Sequence, residues 1–212
     1  MSAEPYEPVP YEPADVYRPR RSPGRESYDR ALVHAILDEG MVAHVSYQGG
    51  HGPEIIPAFY VRHGEEVLVH LSRRAGLASA LQAGTPFAFC VTHLDGLVLA
   101  RSAFHHSMNY RSVIVHGVPR EVTGEEKLRL FDLFIDKAVP GRSKEARPAN
   151  GQEARATGVF ALPLVHVVAK TRSGGPNDDA ADMALPVWAG VIPLAMVRGE
   201  PIEDRVELAG NI

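Results

Sequence analysis

The chain has 212 residues, 45% of them apolar and 23% charged, with a net charge of −4. That length supports one substantial domain and argues against two full ones, while the charge balance lacks the clustered basic face that nucleic-acid binding needs. The single cysteine, Cys90, excludes an internal disulfide and a cysteine-rich metal knuckle, and its run PFAFCVTHL reads as buried core. With no leader-like start and no run of 18 apolar residues, a soluble cytoplasmic protein without a membrane segment is expected.

Residues 1–25 hold six prolines and a Tyr-Glu-Pro element at Tyr6 and again at Tyr11. Proline removes backbone donors and favours extended geometry, so this tail either stays mobile or docks its tyrosines on the body or on a second subunit. In SYDRALVHAILDEG, Leu32, Val33, Ile36 and Leu37 recur at helical spacing, with Ser27 as N-cap and Gly40 as C′ residue. The period then drops to two: MVAHVSY, EIIPAFYV and EVLVHLS read as three antiparallel strands joined by the turns QGGHGP and RHGE. A short helix, AGLASALQAG, precedes two strands, PFAFCVTHL and GLVLARSA, set around Leu94-Asp95-Gly96, and SVIVHGVPREV follows as another. In TGEEKLRLFDLFIDKAVPG, Thr123 and Glu126 fit a capping box, and Leu128, Phe131, Phe134 and Ile135 form the buried face of a helix. After a polar loop, GVFALPLVHVVAKTRS is a long strand or a bent pair, and the remainder is mostly loop with a final apolar segment.

These elements predict a mainly β protein: one antiparallel barrel of six or seven strands with peripheral helices. The expected boundaries are a tail over 1–25, the barrel domain over 26–195 and an extension over 196–212. Neither a dinucleotide fingerprint nor a phosphate-binding P-loop is present.

The ten histidines are scattered, with only His105 and His106 adjacent, and no metal-ligand spacing appears, so no metal is expected. Ser107 has histidines near it in sequence but neither a nucleophile elbow nor an evident carboxylate to orient one. Anion binding is better supported. HLSRRAGLASAL places His70, Ser72, Arg73 and Arg74 at a strand end, where arginine's planar fork suits phosphate oxygens; an exposed basic turn is the plain alternative. SMNYRS adds Ser107, Asn109, Arg111 and Ser112, able to hold a second anionic group or the edge of a planar heterocycle, or else simply to close a hairpin loop. Lys170 and Trp188 downstream strengthen the reading of a site.

Taken in order, PEIIPAFYV, VLVHLSRRAGLASAL, DGLVLARSAFHHSMNYRSVIVHG, GVFALPLVHVVAKTRSG and VWAGVIPL resemble the pyridoxamine 5′-phosphate oxidase-related FMN-binding split barrels, in their flavin-nucleotide-binding, nitroimidazole-reductase-type branch. The resemblance covers about residues 27–195. It implies a six-stranded antiparallel split barrel of Greek-key character, a homodimer with FMN at the subunit interface and a small-molecule substrate. Ile56, Pro57, Ala58 and Phe59 would line the isoalloxazine; His70, Ser72, Arg73 and Arg74 would cradle the phosphate. Ser107, Asn109, Arg111, Ser112 and Lys170 would complete the site, and Trp188 with Gly190 would close it from the partner. The family's arginine- and lysine-bearing R-x-V-L-L-K strand is here Ile55 through Tyr60, and its C-terminal arginines have no counterpart in VWAGVIPL, which argues against vitamin B6 oxidation. The resemblance leaves an FMN-dependent oxidoreductase in which the flavin takes a hydride from a nicotinamide donor or substrate, with His105, His106 and Tyr110 as the only candidate proton donors. The alternatives are a non-catalytic protein that stores flavin or senses its redox state, and a split barrel using deazaflavin or haem instead of FMN.

Overall fold

A computed structural model of the chain describes residues 9–20 and 24–204. Ten strands and four α-helices follow in order: β1 (Glu26–Ser27), α1 (Arg30–Glu39), β2 (Val42–Gly49), β3 (Gly52–His63), β4 (Glu66–Ser72), α2 (Gly76–Gln82), β5 (Phe87–Leu99), β6 (Ser107–Gly117), β7 (Arg120–Val122), α3 (Gly124–Ala138), α4 (Gly151–Ala156), β8 (Thr157–Pro163), β9 (His166–Arg172) and β10 (Gly190–Pro193). The strands run in the spatial order β1-β9-β6-β5-β2-β3-β4-β8-β7, with β10 added on β5. The expected mainly β class holds, with ten strands rather than six. Asp95, read as part of a turn between two strands, is instead a bulge inside the single long strand β5, where the register on β6 shifts between Leu94 and Gly96.

One strand changes neighbours midway. β3 pairs with β2 from Gly52 to Phe59, then with β4 from Tyr60 to His63. Beyond the Tyr60↔Val69 pair β4 continues to Ser72 against β8, so β3 and β4 diverge. The main core fills the space between the two sheets, with Val45, Val91 and Val113 from one side and Val67, Val69, Phe160 and Leu162 from the other. A second cluster, Leu68, Val159 and Ala161 with Leu130 and Phe134, seats α3 on the outer face of the β4–β8 sheet.

The helix ends show which local signals won. α1 is capped by Asp29, whose carboxylate accepts from Leu32 N–H at 2.7 Å, worth about 1 kcal/mol; Ser27 belongs to β1 and accepts from Asp29 N–H. Gly40 ends the helix with extended backbone, not in the left-handed region expected of a C′ glycine. Its smallness serves packing, because a Cβ there would lie 2.4 Å from the Tyr60 hydroxyl and 2.7 Å from Val91. Thr123 makes no side-chain cap bond on α3, and the Glu126 carboxylate of the expected box accepts from Arg120 at 2.9 Å instead; a capping box forms between Asn150 and Glu153, on α4.

The buried residues of α3 are Lys127, Leu130 and Phe134; of the apolar stripe expected from the sequence Phe134 is buried, Phe131 and Ile135 are half-buried, and Leu128 is half exposed. The Lys127 ammonium reaches the carbonyls of Ala154 and Thr157, which lets its stem lie inside. Cys90 is partly exposed, not fully buried. The tail does dock: Tyr11 is buried, donates to Glu65 at 2.7 Å and lies under Arg30, while Tyr17 stacks on His116 and His166. Tyr6 lies outside the described residues.

Candidate functional site

The divergence of β3 from β4 leaves the outer edge of β3 from Pro53 to Ala58 without a strand partner, and likewise the facing edge of β4 beyond Val69. Proline at positions 53 and 57 fits such an edge, since a missing N–H costs nothing where no ladder forms. Ile55 is 65% exposed on this strand, and Ile56, Ala58 and Phe59 are half-buried. At the open end of β4, Ser72 Oγ accepts from Arg74 N–H, Ser72 C=O accepts from Ala75 N–H, and Arg73 N–H donates to Ala156 C=O. This turn projects Arg74 into solvent with no ion pair among the described residues, whereas Arg73 is paired with Glu121. An unpaired backbone edge beside a basic turn suits a flat heterocycle carrying a phosphate.

His70, expected beside Ser72 on the phosphate, faces α3 instead. Its ring lies 4.6 Å from that of Phe134 and lines a cavity of about 480 Å³ whose walls include Leu128, Phe131 and Ile135. Those residues with Phe134 are the apolar stripe that the sequence assigned to the core; part of it is left facing a cavity. No hydrogen bond is made by the His70 imidazole among the described residues, and burial lowers its pKa, which keeps it neutral at neutral pH.

The expected residues of β6 and β9 lie three and four strands from β3, roughly 14 and 19 Å along the sheet at about 4.8 Å per strand. There the polar groups are engaged internally. Arg111 donates to Asp95 at 2.8 and 2.9 Å and to Glu39 at 2.5 and 2.8 Å, joining α1 to the β5 bulge; these bonds raise its own pKa and lower that of Glu39. Asn109 is buried, donating to Gly174 C=O and accepting from Arg172, and Ser112 donates to the carbonyl of Lys170. Ser107 is exposed and Tyr110 half-buried; His106 bonds the Ser102 carbonyl, and His105 lies 3.3 Å from Asp179.

Trp188 is 64% exposed, and a Cβ on Gly190 would come within 2.9 Å of its ring. Beside it on β5, β6 and β10, the cross-strand neighbours Leu97, Met108 and Ile192 are all exposed, forming an apolar face. Two cations that the sequence reading passed over, Lys127 and Arg155, line a further cavity with Arg73. A lysine three residues before Leu130 and seven before Phe134, within a buried stripe, was the available signal.

A sheet whose third strand leaves one layer for another, with helices on the outside, is a split β-barrel. The family described as pyridoxamine 5′-phosphate oxidase matches residues 29–171. Among solved structures, the flavocytochrome Anf3 from Azotobacter vinelandii is 35% identical, covers 94% of both chains and superposes with a TM-score of 0.88. The FAD and haem binding protein from Mycobacterium smegmatis is 33% identical over 88% of this chain and 92% of its own, with a TM-score of 0.83. A candidate 5-nitroimidazole antibiotic resistance protein from Bacteroides thetaiotaomicron, 17% identical over 69% of this chain and 86% of its own, shares the fold with a TM-score of 0.58. No curated protein matches. The chain belongs to the pyridoxamine 5′-phosphate oxidase family, whose members are flavin-binding split barrels.

Proposed function

We propose that the protein is a flavin-dependent oxidoreductase, working as a homodimer between a nicotinamide donor and a small organic acceptor. The observation that carries the flavin site is the open edge of β3 facing the Ser72–Arg74 turn. There Ile56 to Phe59 offer backbone donors and acceptors to a planar ring, and Arg74, whose charge is uncompensated, meets a phosphate. A bound flavin accepts a hydride pair and passes electrons on. The chain's own part is placement, exclusion of water and hydrogen bonding. The exposed apolar face of Leu97, Met108 and Ile192 supports dimerisation, which would bring Trp188 of one subunit to the cleft of the other. Reconstitution tests the reading: the purified protein should take up flavin and run as a dimer in light scattering, and a monomer without flavin uptake would refute it.

A second reading adds haem to the flavin. The specific observation is the cavity under α3, where an apolar wall faces one unbonded, neutral imidazole, that of His70. Neutral histidine is a haem iron ligand, and Leu128, Phe131 and Ile135 supply apolar surface for a porphyrin ring, with Asp132, Ser143, Arg147 and Glu153 on the cavity's other walls. The names of the Azotobacter and Mycobacterium proteins, a flavocytochrome and an FAD and haem binding protein, favour it. Haem titration should give a Soret band that His70→Ala abolishes while flavin uptake persists; an unchanged band in the variant would remove His70 from that role.

A further inference from the structure

The tail ahead of β1 is fastened to the barrel through imidazoles. At one anchor the buried Tyr11 donates its hydroxyl hydrogen to Glu65, so His34 Nε2, 2.9 Å away, is the donor to the Tyr11 oxygen. At the other, a 3-10 turn, Asp15–Tyr17, lays the Tyr17 ring 4.7 Å from the rings of both His116 and His166, and Ala14 N–H donates to His166 Nδ1 at 3.3 Å. An Nδ1 that accepts carries no proton, so the docked tail fixes His166 as the neutral Nε2–H tautomer. His116 and His166 are cross-strand partners on β6 and β9, and the neighbour of His116 on β5 is Ala88. Two cavities, of about 290 and 300 Å³, share Tyr17, Pro86, His116 and Gly117 as walls. Their remaining titratable groups are Tyr47 and His166; no carboxylate, lysine or arginine among the described residues lines either. On the tail itself Asp15 and Arg18 pair with each other at 3.3 Å, with the Asp15 side chain fully exposed. His116 Nδ1 is buried without a hydrogen-bond partner among the described residues.

We propose that residues 12–20 form an acid-released strap, which covers a groove on the barrel while His116 and His166 are neutral and lifts from it when they take up protons. A proton on His166 Nδ1 removes the acceptor of Ala14 N–H and sets one N–H against another. The face of Tyr17 attracts a single imidazolium. A charge on either ring, however, opposes a charge on its cross-strand neighbour, with no carboxylate in the cavity walls to offset it. Burial, and then the facing His166, lower the pKa of His116 from 6.5, so docking is favoured above that value and lost as pH falls through the lowered one. The Tyr11 anchor survives acid. His34 keeps its Nε2–H when a second proton arrives at Nδ1, and around it Glu65 and Asp38 offset Arg30 and Arg62. The strap therefore lifts at its Tyr17 end, between Tyr11 and β1, and joins the two cavities into one groove reaching Pro53, at the start of the open β3 edge.

Hydrogen exchange of the full chain, read by mass spectrometry from pH 7.5 to pH 5.0 and corrected for the intrinsic rate at each pH, tests this. In wild type the protection of residues 14–18 should fall about tenfold or more toward pH 5.0, while the β6 amides of Val113 and Val115 keep theirs. His116→Phe combined with His166→Asn keeps a ring against Tyr17 and an acceptor for Ala14 N–H but takes no charge. That protein should hold the segment protected to within about twofold across the range. His166→Asn alone, a milder change, should already shrink the fall, and His34→Gln, at the other anchor, should leave it in place. Wild-type protection that does not change with pH overturns the proposal, as does an undiminished fall in both His166 variants. A fall shared by β6 overturns it too, since the barrel itself would then be unfolding.

Discussion

Two regions of this molecule are rich in the same polar side chains and differ in what those side chains do. On β6 and β9, Arg111, Asn109 and Ser112 each have a partner within the chain, and Arg111 has two carboxylates. At the end of β4, Arg74 has none among the described residues and the adjoining β3 edge has no strand partner. A polar cluster whose hydrogen bonds close internally holds the fold together. The open one has binding capacity left over.

Arg111→Ala breaks the comparison at its strongest point. Removing the guanidinium leaves Glu39 and Asp95 without their shared cation; the network is bidentate but partly exposed, so stability should fall by about 2 kcal/mol, less than for a buried pair. Denaturant unfolding measures it. Flavin affinity at a temperature where the variant is folded should change little, and a large affinity loss would move Arg111 into the binding site.

Arg74→Ala is the converse case. The melting temperature should stay near wild type because no internal bond is lost, while flavin binding should weaken by about 2 kcal/mol through loss of a charge-assisted hydrogen bond. Titration of flavin fluorescence reads the second effect and calorimetry the first. Unchanged affinity would make this turn an ordinary exposed loop.

Acidification probes the groups buried without charge. His34, His70 and His116 all have pKa values lowered from 6.5, in each case first by burial. The unfolded chain therefore takes up protons below pH 6.5 before the folded chain does, so stability present at pH 7 should be lost as pH falls through the lowered values. Melting temperatures from pH 7 to pH 4.5 follow this loss. His70→Leu should flatten part of the curve, since that site then takes no proton in either state.

Much of the barrel was legible because period-two patterning survives in any strand with one buried face, as in β2 and β4. The continuity of β5 was hidden because a bulge at Asp95 and a turn at Asp95 have the same composition. On α3 the buried Phe134 was legible, but Lys127 was not, because patterning scores it as polar and cannot see the carbonyls that accept from it. For the site, residue type located Arg74 and Ser72, but the partners of Arg111 come from α1 and β5, 72 and 16 residues away, and only the folded arrangement shows that they are occupied.

The smallest effects sharpen the comparison most, because they set one residue type in both regions. Ser112 Oγ donates to the Lys170 carbonyl at 3.2 Å and the residue is 8% exposed; Ser72 is exposed and its Oγ accepts only the Arg74 N–H at 3.3 Å. Ser112→Ala removes a mostly buried donor and should cost about 1 kcal/mol of stability with flavin affinity unaltered. Ser72→Ala should change stability by less than about 0.5 kcal/mol, yet lower flavin affinity, because the turn that presents Arg74 loses its local hydrogen bond. Paired melting and titration of the two variants read both quantities. The contrast requires the losses to fall on opposite sides, stability for Ser112 and affinity for Ser72; both falling on stability would mean that the open end of β4 is as self-contained as β6.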